Sequence, residues 1–226
     1  MQIDLRATIE RIQGEIAARG GAERRVRLMA VTKTQPREAV LAAYQAGLRL
    51  FGENRVQEAE LKYFDMPDDL ELHCLGHLQT NKARAAVGLF RCIQSVDSLH
   101  TAQALQKRCE EAGIRIDYLI EINSSGEASK SGYADLELFR RELEGMLELP
   151  RLRPRGLMTI GPLGPDAAAV RAAFRATKRL FDETTGRLGS PDFDTLSMGM
   201  SGDFGLAVEE GATLVRLGTA IFGARP

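Results

Sequence analysis

Four places in this 226-residue chain put chemically capable side chains where an ordinary globular pattern would not. Lys33 closes the apolar run of "AVTKTQP" (30–36), just before a turn marked by Pro36. An ammonium at the mouth of a buried strand is costly to desolvate, and an amine whose pKa is lowered there becomes a nucleophile for an aldehyde. "SMGMSGDFGLAVEEG" (197–211) runs from a strand through Gly199, Ser201 and Gly202 into a helix. Free backbone N–H groups and the positive end of the helix dipole then converge on a spot suited to an anion. "VRLGTAIFG" (215–223) adds Gly218 and Thr219, small residues that let backbone approach a phosphate closely, and Ser201 and Thr219 can supply hydroxyl donors. Arg216 lies in the same apolar run, where a guanidinium needs a partner. That partner is either a carboxylate on a neighbouring strand, such as Glu53 or Glu121, or a ring nitrogen of a bound ligand.

These residues need elements to hold them. Short apolar runs recur at 26–32, 47–52, 71–77, 90–96, 116–123, 153–160, 194–200 and 213–223. Helical patterns lie between them at 36–47, 53–64, 80–88, 98–112, 133–148, 165–188 and 203–211, several closed by Gly47, Gly88, Gly113 or Gly211. Strands apolar on both faces and separated by helices form a parallel sheet covered by helices, and eight such units predict a closed (β/α)8 TIM-type barrel. An extra amphipathic helix precedes it, with Ile3, Ile9, Ile12 and Ile16 on its apolar side. An open doubly wound sheet is the alternative, but no G-x-G-x-x-G follows the first strand. In a barrel, function gathers where strands end and helices begin. Lys33, "GEN" (52–54), "GHLQTNK" (76–82), "NSSGEASKSG" (123–132), "MTIGP" (158–162), "SMGMSGD" (197–203) and "GTAIFG" (218–223) all fall there, the last within strand eight.

An amine, an anion nest and a guanidinium on one rim call for a ligand with an aldehyde, a phosphate and a ring acceptor. Pyridoxal 5'-phosphate has all three. A Schiff-base lyase using Lys33 directly on a phosphorylated carbonyl substrate stays open on the same residues. His73 and His77 would stand roughly 13 Å apart on a strand, too far to share a metal ion, so no metal site is expected. Lys82 and Lys130 are basic rim residues, Asp203 reads as a favourable partner of a helix dipole, and Tyr133 is the tyrosine nearest the rim.

The motifs "AVTKTQP", "FGENRVQE", "HCLGHLQTNK", "EASKSG", "RGLMTIGP", "LSMGMSGDF" and "VRLGTAIFG", in this order from about residue 26 to 224, resemble those of the YggS/PROSC family of pyridoxal phosphate homeostasis proteins. The resemblance implies a barrel like the N-terminal domain of alanine racemase, holding pyridoxal 5'-phosphate as a Schiff base without established turnover. It implies Lys33 as the Schiff-base lysine and Ser201, Gly218 and Thr219 as phosphate-binding residues. It further implies Arg216 opposite the pyridine nitrogen, Asn54 lining the pocket, and Lys130 as a secondary amine that relays the aldehyde. Cys74 departs from the family pattern, and so do Gly202 and Gly205, which are expected to loosen the helix that follows the nest.

An arginine cannot hand a proton to the pyridine nitrogen at ordinary pH, so the ring would be a weak electron sink. A racemase would also need a second base, such as a tyrosine from an added domain, for which the chain leaves no room after Gly223. The reading is therefore a carrier that buffers pyridoxal 5'-phosphate or delivers it to apoenzymes, with an amino-acid enzyme of the racemase kind as the alternative. Thirty basic against thirty-one acidic residues give a formal charge of −1, which supplies no footprint for nucleic acid or an acidic membrane. Cys74, Cys92 and Cys109 fit neither a disulfide framework nor a zinc knuckle and read as reduced, buried thiols. No signal peptide or roughly 20-residue apolar span is present. The expectation is a single cytoplasmic domain over 1–226 that works as a monomer.

Overall fold

The structure is a computed structural model that describes residues 4–127, 130–162, 164 and 166–223. Ile3 of the first helix and Ala128 and Ser129 of the fifth rim loop lie outside them.

The first helix, α1 (Leu5–Ile16), starts where the Asp4 carboxylate accepts from the Ala7 amide at 3.1 Å. It buries Ile9, Ile12 and Ile16, spaced to share one face. Strands β1 (Arg27–Val31), β2 (Leu50–Glu53), β3 (Glu71–Cys74), β4 (Cys92–Val96), β5 (Ile116–Ile122), β6 (Leu152–Thr159), β7 (Thr195–Ser197) and β8 (Leu214–Leu217) follow. Each pairs in parallel with the next, and β1 pairs with β8, so the sheet closes into the expected barrel. Between them run α2 (Arg37–Gln45), α3 (Val56–Lys62), α4 (Ala83–Leu89), α5 (Leu99–Ala112), α6 (Leu136–Leu147), α7 (Ala167–Leu188) and α8 (Phe204–Glu209). A short α9 (Thr219–Phe222) comes last among the described residues.

The two-residue period of a strand sorts side chains into two compartments. Ala30, Phe51, Leu72, Ile93, Ile120 and Val215 join the layer between sheet and helices. Their neighbours Met29, Leu50 and Leu214 form one cluster inside the barrel, and Cys92, Leu119 and Met158 another. His73, Gln94, Ser197 and Arg216 are buried at the positions of this inward parity.

Three local expectations are corrected. Gly218 and Thr219 are not in the eighth strand, which stops at Leu217. Gly218 caps α9 instead, because a short apolar run such as Ala220, Ile221 and Phe222 packs equally well as a buried helix turn. Gly88 does not end a helix but sits within α4. The second strand begins at Leu50 and not at 47, since Gly47 adopts φ +105° in the turn that closes α2. No helix among the described residues is long and apolar enough to cross a membrane.

Candidate functional site

All six residues singled out in the sequence meet at one cavity of about 230 Å³ at the C-terminal mouth of the barrel. Lys33, Asn54, Ser201, Arg216, Gly218 and Thr219 line it, with Val31, Leu75, Met158, Ile160, Met200 and Gly202 supplying apolar wall and backbone. Six different strands deliver these residues through the loops that follow them, or through the strand end itself in the case of Val31, Met158 and Arg216.

At the anion end, Gly199 holds φ +93°, and a Cβ there would come within 2.5 Å of Ala207 Cβ, so only glycine makes this turn. The Met200 amide donates to Asp203 Oδ1 at 2.5 Å, which pins the loop. Asp203 stands at the N-cap of α8, where it ties the preceding loop together and makes no side-chain cap bond to the helix. Burial holds its carboxyl above the ordinary value. The Ser201 hydroxyl accepts from the Gly218 amide at 3.2 Å and the Ala220 amide at 3.1 Å, so it stitches the two glycine loops together and keeps its own proton for a ligand. The backbone N–H groups of Ser201, Gly202 and Thr219 bond to no described residue. Gly205 lies within α8, which spans Phe204–Glu209; a Cβ there would stand 2.8 Å from the Arg19 guanidinium carbon, so the glycine makes room for that side chain.

At the opposite side, Arg216 is 4% exposed and donates through Nη1 to Ser197 Oγ at 2.6 Å and through Nη2 to the Thr159 carbonyl at 2.8 Å. It makes no ion pair with Glu53, which bonds to Lys62, or with Glu121. Burial lowers the Arg216 pKa to about 10, against the pull of Glu121 and Asp203, and the group stays charged at neutral pH. Burial also raises the Glu121 carboxyl to about 7.

A polar chain continues from Arg216 down the barrel interior. Ser197 Oγ donates to Gln94 Oε1 at 2.7 Å, Gln94 Nε2 meets His73 Nδ1 at 2.8 Å, and His73 Nε2 meets Glu71 Oε1 at 2.7 Å. Arg27 closes it from the other carboxylate oxygen of Glu71. The amide can only donate from Nε2, so His73 must accept at Nδ1 and carry its proton on Nε2. From Arg216 to His73 every donor therefore points toward the Glu71 carboxylate, which Arg27 meets from the far end. Burial lowers the His73 pKa, which keeps the ring neutral, and the same contacts override burial to hold Glu71 down to about 2. Sequence reasoning considered His73 only for metal binding and passed over Gln94 and Ser197; a polar residue at inward parity inside an apolar run was the available signal.

Other rim residues do not join the cavity. His77 binds Asp97 at 3.0 Å in an exposed position. Lys130 is no solvated charge: it bonds to Glu127 at 2.7 Å and to the Gly161 carbonyl at 3.0 Å, bridging the loops after β5 and β6. Tyr133 is buried and donates to Glu142 at 2.5 Å, and Tyr63 is buried against Thr32, so both are committed to packing.

Fold and cavity together define a class, and comparison with known proteins agrees. Residues 3–226 match the family model "alanine racemase, N-terminal domain". An alanine racemase of Clostridium difficile superimposes with a TM-score of 0.77 at 16% identity, covering 99% of this chain and 56% of that one, a likeness of fold. Within that class the relatives are more specific. The pyridoxal phosphate homeostasis protein of Aquifex aeolicus is 42% identical over 222 residues, 98% of this chain and 96% of its own. That of Pseudomonas aeruginosa is 44% identical over 217 residues, 95% and 91% respectively. The structure of PipY of Synechococcus elongatus with pyridoxal phosphate bound is 41% identical, with a TM-score of 0.79 over 92% of this chain and all of that one. The chain belongs to the family of pyridoxal phosphate homeostasis proteins.

Proposed function

We propose that this protein binds pyridoxal 5'-phosphate reversibly as a Schiff base on Lys33 and takes part in intracellular homeostasis of that cofactor, buffering it or passing it to apoenzymes. The observation that carries this reading is the convergence of an amine, two glycine loops and a buried guanidinium on one cavity. The residues fit the group. Amides of Ser201, Gly202 and Thr219 with no described acceptor, together with the Ser201 and Thr219 hydroxyls, suit the phosphate. Arg216, locked by Ser197 and Thr159, would offer a donor to the pyridine nitrogen, and Asn54 lines the same cavity. Lys33 supplies the amine that condenses with the aldehyde with loss of one water, a linkage that water or another amine reverses. Relatives named as homeostasis proteins and a PipY structure with the cofactor bound support the assignment.

A carrier role without turnover is favoured by Arg216, whose charge leaves the pyridine nitrogen unprotonated and the ring a weak electron sink. The described tyrosines also line none of this cavity. We read the chain as one cofactor-binding domain over 1–226, monomeric and cytoplasmic.

The test is the visible spectrum of the full-length protein with added pyridoxal 5'-phosphate, followed by borohydride reduction and peptide mass spectrometry. A yellow adduct fixed on Lys33 and lost in Lys33→Ala is expected. A colourless protein, or label spread over surface lysines, overturns the assignment. Exchange of the alpha proton of amino acids at rates typical of racemases would overturn the carrier reading alone.

A further inference from the structure

Lys33 stands between two residues that are held from outside the barrel by one helix. Thr32 is fully buried; its hydroxyl lies 2.8 Å from Glu53 Oε1 and 2.6 Å from the Tyr63 hydroxyl, and its carbonyl accepts from Lys62 Nζ at 2.6 Å. On the other side, Thr34 adopts φ +66°, a left-handed conformation that is unfavourable for a β-branched residue. Its amide donates to Glu58 Oε1 at 2.6 Å. Lys62, 7% exposed, joins the two halves, bonding to Glu53 at 2.5 Å and to Glu58 at 2.8 Å. Glu58 and Lys62 lie one helical turn apart on α3, so a single rigid element grips the chain immediately before and immediately after Lys33.

Such a grip has a physical purpose. Strained backbone persists only where its surroundings over-determine it, and it gathers at sites that need a fixed geometry. A lysine has four rotatable side-chain bonds, so where its amine sits depends first on how its backbone is aimed. None of Thr32, Thr34, Glu58 or Lys62 lines the cofactor cavity. Binding of ring and phosphate does not require them.

We propose that Glu58 and Lys62 are positioning residues for Lys33: through Thr34 and Thr32 they hold the strained loop that aims the Lys33 amine into the cavity. This rests on the assignment of Lys33 as the Schiff-base lysine. The effect falls on condensation with an aldehyde and not on recognition of the rest of the ligand.

The experiment compares the full-length protein with Glu58→Ala and Glu58→Gln, in both of which Lys62 keeps Glu53. Stopped-flow absorbance reads the rate of adduct formation with pyridoxal 5'-phosphate. Titration with pyridoxine 5'-phosphate, which has the ring and phosphate but no aldehyde, reads the pocket alone. Hydrogen exchange reads the Thr34 amide. Glu58→Ala is expected to slow adduct formation by about tenfold or more, leave pyridoxine 5'-phosphate affinity unchanged and deprotect the Thr34 amide. Glu58→Gln, which keeps an acceptor oxygen, should restore most of the rate. An unchanged rate in Glu58→Ala overturns the proposal, and so does a parallel loss of rate and pyridoxine 5'-phosphate affinity, which would make the network a plain support of the fold. If the parent protein forms no adduct on Lys33, the functional assignment fails by itself, and unchanged Thr34 protection in Glu58→Ala still overturns the clamp.

Discussion

Replacing Gln94 with leucine tests whether the polar chain inside the barrel is a satisfied network or a coincidence of neighbours. Gln94 and Ser197 are fully buried and His73 is 4% exposed, so no solvent replaces what is removed. The substitution keeps most of the side-chain volume but takes the acceptor from the Ser197 hydroxyl and the donor from His73 Nδ1. An orphaned buried polar group costs about 1–3 kcal/mol, and two are created, for roughly 2–6 kcal/mol before relaxation. Leucine returns part of this by burying apolar surface in place of an amide, which leaves an expected loss of about 2–4 kcal/mol. Urea unfolding followed by far-ultraviolet circular dichroism measures it. For a chain of this length the loss corresponds to a melting point lower by about 5–15 °C. Nitrogen NMR of the imidazole gives an independent check: in the parent, the proton should reside on Nε2 of His73. A loss below about 1 kcal/mol, or a parent ring protonated on Nδ1, would refute the inferred direction of the chain.

Two further outcomes follow from buried titratable groups. Burial raises the Glu121 carboxyl from 4.5 to about 7, so the folded protein binds a proton that the unfolded chain has released, and this residue makes stability fall as pH rises from about 4.5 to 7. Glu121→Gln should flatten that slope and stabilise the protein above pH 7 by up to about 3 kcal/mol, measured by urea unfolding at pH 5 and pH 8; equal gains at both would refute it. The cysteines are all buried, and burial lifts Cys74 to about 12, Cys109 to about 11 and Cys92 well above its ordinary value. A thiol-specific disulfide reagent at pH 8 should therefore modify none of the three in the folded protein and all of them once urea unfolds it; rapid labelling of a native thiol would contradict this.

Legibility along the chain depended on how local the cause was. β5 and β1 were readable because a barrel strand is buried on both faces and leaves an apolar run in the sequence. The α9 turn was not, because Ala220, Ile221 and Phe222 carry the same apolar signal whether they continue a strand or begin a buried helix. Lys62 was overlooked since a lysine in an amphipathic helix ordinarily faces water; only the packing of α3 against β2 and the loop after β1 turns it inward onto Glu53 and the Thr32 carbonyl. Tyr133 shows the converse, a residue near the rim in sequence that its bond to Glu142 removes from the site.

The sequence by itself determined the eight strand–helix units, their order, and which residues follow the strands toward one rim, because periodicity, glycine turns and composition act over a few residues. It also singled out Lys33, Asn54, Ser201, Arg216, Gly218 and Thr219, the six residues that line one cavity. Tertiary structure alone decided how they meet. Alternation tells which side chains enter a barrel, but the stagger between strands sets which of them share a level, and so joins Gln94 to Ser197 across 103 positions of chain. The same closure brought α3 against the loop after β1 that carries Lys33, and with it the grip on Thr32 and Thr34 that no local pattern could reveal.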